Sequence, residues 1–123
     1  MQGFQGYGYS EDFSRNMAEV LKKLKSSPEQ KIQIVDECDV ICSCCPHNKK
    51  ETCKNIFSNW KIKRMDRNVL KKLEIEAGTC ISVFNAFYLV NKIFKALSNI
   101  QDICGSCKWS KKCLWYLKIS TNP

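Results

Sequence analysis

The chain has 123 residues, nine of them cysteine, and carries 20 Lys and Arg against 12 Asp and Glu for a formal charge of +8. That length can bury a core without cross-links and reads as one domain, residues 1–123, so the cysteines are not needed as staples. An odd cysteine count excludes complete internal disulfide pairing, no run reaches transmembrane length, and the opening residues lack the flank and apolar stretch of a signal peptide, which together predict a cytoplasmic protein with reduced thiols.

In chain order, Gly3, Gly6 and Gly8 stand between aromatic residues. With no strand before them and no Lys-Ser or Lys-Thr after them, they predict a turn packed by Phe4 and Tyr7 rather than a phosphate cradle. Ser10 is placed to cap a helix from about Ser10 to about Lys25. Glu11 and Asp12 sit at its positive end, Phe13, Met17, Val20, Leu21 and Leu24 at helical spacing, and Ser26-Ser27-Pro28 stops it. Lys31 to Asp36 alternates and predicts one short strand, or an extended lead-in, with no evident pairing partner. A second helix is predicted over Ile56 to Leu73, and Glu76-Ala77-Gly78 is a turn. A third, from about Ser82 to Leu97, is the most apolar segment and the expected centre of the core. Asn99 to Ile103 adds a turn. The predicted class is mainly α: a small helical domain with two cysteine-knuckle loops joined at a metal centre and at most one short strand or hairpin.

Those loops repeat one pattern. An acidic residue (Asp39 or Asp102) precedes Ile-Cys-x-x-Cys, a polar loop with Lys-Lys, and a third cysteine. The two sets are Cys42, Cys45, Cys53 and Cys104, Cys107, Cys113, and these six are the candidate metal ligands. A Cys-x-x-Cys pair puts two sulfurs on one tight turn, close enough to share a metal or to ligate neighbouring irons. Cys38, Cys44 and Cys80 fall outside the repeat, and Cys80 suits a packing role. Cys38-x3-Cys42-x2-Cys45 also has the spacing of radical S-adenosylmethionine enzymes, but the repeated strand–helix units of their barrel are missing.

Three ligand sets fit the six cysteines. Four of them hold one [4Fe–4S] cluster, with Pro46 after Cys45 echoing the Cys-Pro of bacterial ferredoxins. Alternatively Cys42, Cys45, Cys104 and Cys107 close one zinc site, or each loop binds its own zinc with His47 completing the first. Trp109 and the tail Leu114-Trp115-Tyr116-Leu117 are placed to shield the second loop. Four thiolates around zinc or a four-iron core reduce the net charge to about +6. The remaining excess is mostly lysine, which favours a solvated basic surface over nucleic-acid readout; nucleic acid stays the alternative partner. A single histidine two residues from Cys45, and no paired carboxylates near the loops, give no arrangement for catalysis.

With these residues in view, the chain resembles a small prokaryotic family, domain of unknown function 1284. The resemblance is carried by Gly3-Phe4-Gln5-Gly6-Tyr7-Gly8-Tyr9-Ser10 and by Ile41-Cys42-x-x-Cys45-Pro46-His47 with Cys53. It continues through Met65-Asp66-Arg67-x-Val69-Leu70 to Ile103-Cys104-Gly105-x-Cys107-x-Trp109 with Cys113. It implies iron–sulfur binding, selects the same six cysteines and implies no reaction. Family members usually carry two adjacent histidines and a cysteine ahead of the Gly-Phe stretch, which have no counterpart here. The expected cofactor is an iron–sulfur cluster, [4Fe–4S], with zinc the alternative. The expected role is electron transfer or redox and iron sensing, with a redox protein as partner.

Overall fold

The computed structural model describes residues 4–46, 48–49, 52–53, 59–95, 97–105 and 107–121, with the side chains of residues 49, 52, 53, 59–61, 97 and 99 outside the description. The chain is mainly helical. Helix α1 (Glu11–Ser26) begins where its sequence predicts: Ser10 is extended, and its side chain accepts from the Phe13 N–H at 3.1 Å. Phe13, Leu21 and Leu24 form its buried stripe.

The strand after α1 is shorter than its alternation suggests, and it does have a partner. β1 (Lys31–Gln33) pairs antiparallel with Cys80–Ser82, in the register Lys31 to Ser82, Ile32 to Ile81 and Gln33 to Cys80. Two short strands, Asn48–Lys49 (β2) and Thr52–Cys53 (β3), form a second antiparallel pair within the first cysteine loop, and Cys80–Ser82 is therefore β4. The β1 partner was illegible locally because it is only three residues long and abuts the helix after it. Gly78, at φ +92, makes the turn into it and donates its N–H to the Ile34 carbonyl at 2.7 Å.

Helix α2 spans Asn59–Leu73. The long apolar segment beyond β4 is two helices, α3 (Val83–Ile93) and α4 (Leu97–Cys104), not one helix to Leu97. α5 (Leu114–Thr121) closes the described chain. The core centre shifts accordingly. Ile100 is 1 % exposed and lies with Ile103, Phe94 and Ile119, around which Met65, Val69, Leu73, Val90, Ile93, Trp115 and Tyr116 pack. α3, expected to be central, is half outside: Phe84 is 63 % exposed and stacks on Tyr88 along its outer face. The chain breaks after α3 at Phe94, whose ring turns into the core edge-on to Trp115 at 6.2 Å. No described helix is long and apolar enough to cross a membrane.

Candidate metal centre

The repeat in the sequence is a repeat in the backbone. In the first loop the Cys45 N–H donates to the Cys42 carbonyl (3.0 Å) and the Asn48 N–H to the Cys45 carbonyl (3.1 Å). In the second, Cys107 donates to Cys104 and Ser110 to Cys107, both at 3.1 Å. Each Cys-x-x-Cys is thus a tight turn followed at once by another of the same span. A 3₁₀ turn, Cys42–Cys44, forms in the first loop, and one forms at Ser110–Lys112 in the second. Gly105 is dictated by close approach: its N–H donates to the Gln101 carbonyl at 2.8 Å, and a Cβ there would stand 2.5 Å from that oxygen.

Helix α1 holds the first turn. Asn16 Nδ2 donates to the carbonyls of Val40 (2.9 Å) and Ile41 (3.3 Å) and reaches Ser43 Oγ at 3.5 Å, pinning that turn. Phe13 and Met17 of the same helix line a cleft of about 160 Å³ with Trp109, Lys112 and Cys113 of the second loop. Asn16→Ala should cost about 1 to 2 kcal/mol. It should lower amide protection in residues 41–45 while leaving α1 helical by circular dichroism; unchanged protection would show that the first turn holds itself.

The shield over the second loop comes from the opposite end of the chain to the one expected. Trp115 and Tyr116 join the core instead, while Leu114 and Leu117 are exposed. Residues 4–10 cover the loop. Tyr9 meets Trp109 edge-on at 5.5 Å, Gln5 Nε2 donates to the Lys112 carbonyl at 2.6 Å, and Lys112 Nζ sits 4.2 Å from the Tyr7 ring centroid. Lys108 Nζ lies over Tyr9 at 4.6 Å. Two loop lysines therefore rest on aromatic faces of the strap, an arrangement worth about 0.5 to 1 kcal/mol each at an exposed site.

The thiols are grouped and electrostatically costly. Burial pushes Cys104 up to about 11, with the charges of Cys107, Cys113 and Asp102 adding to it. Burial likewise pushes Cys42 up to about 12, against a hydrogen bond from the Asp39 backbone and with help from the Asp39 carboxylate and Cys38. Without a cation these sulfurs are protonated at neutral pH, and a metal would supply the charge that stabilises their thiolates. Asn48 donates to the Cys42 carbonyl (3.0 Å), while its own Oδ1 is enclosed and has no hydrogen-bond donor among the described residues.

On the α2 side of the first loop, Arg67 Nε lies 3.6 Å from Asp36 Oδ2. Burial, with Asp39 and Asp36 nearby, pushes the Asp66 carboxyl up from 3.8 to about 6. A raised carboxyl pKa favours the protonated folded form. Its stabilising contribution is complete below pH 3.8 and is lost as pH rises through about 6. Asp66→Asn should therefore raise the melting temperature by about 3 °C at pH 7.5 and leave it nearly unchanged at pH 3.5. An equal shift at both pH values would contradict this.

The structure places Cys104, Cys107 and Cys113, all half-buried, on the second loop and Cys42 and Cys45 on the first. The backbone of Cys53 pairs with Asn48, while its side chain and all of His47 lie outside the described residues. Among the described residues no three His, Cys, Asp or Glu side chains are gathered tightly enough to form a ligand set. Cys80 is exposed on β4, not packed inside as its type suggested, and Cys44 is exposed. Cys38, which falls outside the internal repeat, is half-buried.

A small helical protein bearing two like thiol turns is the class that fold and site define. The chain belongs to the family described as Protein of unknown function (DUF1284), whose model matches residues 8–113. No curated protein and no solved structure gives a significant match.

Proposed function

We propose that this protein binds an iron–sulfur cluster, [4Fe–4S], through thiols of its two turns, and serves electron transfer or redox and iron sensing in the cytoplasm. The observation that carries the reading is the same pair of consecutive turn hydrogen bonds at Cys42–Asn48 and Cys104–Ser110, in two loops that carry the same cysteine spacing. The donors are Cys42, Cys45, Cys104 and Cys107, with Cys53 and Cys113 the further candidates. They fit such a group in chemistry, since soft thiolates suit iron–sulfur clusters and zinc alike. A bound cluster supplies one-electron exchange. The chain's own part is to orient the first turn through Asn16 and to limit water at the second through Tyr9 and Trp109.

Anaerobic purification tests the reading. The protein should be brown, contain iron and sulfide in similar amounts, and lose its visible absorption with dithionite. Colourless protein with stoichiometric zinc would replace the cluster with a structural zinc site, and protein free of both metals would end the proposal.

A further inference from the structure

Nothing in the candidate metal centre explains the outer face of α3. Val83 is buried at the start of this helix and Phe94 just past its end, so the inner side holds it to the protein. The outer side carries Phe84 (63 % exposed), Tyr88 (54 % exposed) and Lys92 at four-residue spacing, neighbours along one face. The Phe84 and Tyr88 rings lie nearly parallel, 11° apart with centroids at 6.3 Å, and Lys92 Nζ stands 5.9 Å from the Tyr88 centroid. Lys95, just beyond the helix, is exposed as well. Single apolar residues on a surface need no explanation, but two stacked rings left in water mark a place where something else packs. The helix offers charge of one sign: residues 77–101 contain no Asp or Glu, in a chain of net charge +8. Glu29 comes to the Phe84 end, where the Phe84 N–H donates to the Pro28 carbonyl at 2.8 Å, but Lys31 pairs alongside at Ser82 and offsets it.

We propose that the outer face of α3 docks a single-stranded nucleic acid, with bases stacking on Phe84 and Tyr88 and phosphates beside Lys92 and Lys95. Such a strand alternates planar rings with anions, and this face sets aromatic rings and ammonium groups side by side in the same way. An acidic protein surface would satisfy the lysines and leave the rings in water, and an apolar partner would do the reverse. A second copy of this face would bring lysine against lysine. The scarcity of arginine, which argues against reading base edges in a duplex, does not count against stacking, because every base has a π-face. Docking on α3 uses none of the candidate metal ligands and is independent of metal binding.

Fluorescence anisotropy of a labelled oligothymidylate about twelve nucleotides long, titrated with the full-length chain, tests this. The unaltered chain should bind it more tightly than a duplex of the same length, with affinity falling as salt rises. Phe84→Ala and Tyr88→Ala should each weaken binding about tenfold. Both side chains are exposed enough for the fold to survive their loss, which circular dichroism checks. Lys92→Gln should lower the slope of log affinity against log salt by about 0.7, whereas Lys22→Gln, at an exposed lysine of α1, should leave it unchanged. Failure of the unaltered chain to bind, or undiminished binding by both alanine variants, overturns the proposal. Polyglutamate competing as well as the oligonucleotide would assign the face to acidic proteins, and a dimer lost on Phe84→Ala would assign it to a second copy. Either result overturns it too.

Discussion

On the proposed metal-binding reading, removing the metal from the reduced protein is expected to release the first cysteine turn and loosen the second, while the helical core persists. The core needs no metal: Phe94, Ile100, Ile103 and Ile119 are buried among apolar neighbours from α2, α3 and α5. Among its described residues the first loop has nothing comparable. Val40 is 61 % exposed, Ile41 only half-buried, and its tethers are Asn16 and the partly exposed Arg67–Asp36 pair. Such tethers contribute about 1 kcal/mol each, whereas metal ligation by thiolates contributes on the order of 10 kcal/mol. The second loop should loosen less, because Cys104 packs on the core and follows Ile103 directly. Hydrogen exchange checks this. Amides of Cys45 and Asn48 should lose protection on anaerobic chelation, those of Cys107 and Ser110 less so, and those within α4 hardly at all. Equal protection with and without metal would mean that the turns fold unaided.

Ile100→Ala is expected to be strongly destabilising, at about 2 to 5 kcal/mol. Ile100 is 1 % exposed at the middle of the buried cluster, and a domain of this size has only about 5 to 15 kcal/mol in total. Because Ile100 lies one helical turn before Cys104, the loss should also appear as lower occupancy of the second turn. Phe84→Ala is the control: a larger side chain, but 63 % exposed, so its removal should stay within about 0.5 kcal/mol. Chemical denaturation of both variants, metal-free, measures the difference. A Phe84→Ala cost matching that of Ile100→Ala would place the core on α3 after all.

What could be read from the chain by itself was whatever is local. Ser10 caps α1 through a bond three residues long, and each Cys-x-x-Cys closes through a bond of the same span. Such interactions are encoded where they occur, so the first helix and the duplicated turns were both legible. The third cysteines behave differently: Cys53 falls in a hairpin strand and Cys113 directly after a 3₁₀ turn, although the two loops look alike as sequence.

Only the tertiary structure decided which apolar residues are inside, what β1 pairs with, and what anchors the first cysteine turn. Ile100 and Phe84 are both large and apolar, and they separate only because α4 is packed by α2 and α5 while the outer face of α3 is left to solvent. β1 waits 47 residues for Cys80 to face Gln33, a pairing no local pattern specifies. The approach to the first cysteine turn is fixed from two other parts of the chain, by Arg67 at Asp36 and by Asn16 at Val40 and Ile41. Burial and pairing are properties of two surfaces at once, and one stretch of sequence carries only one of them.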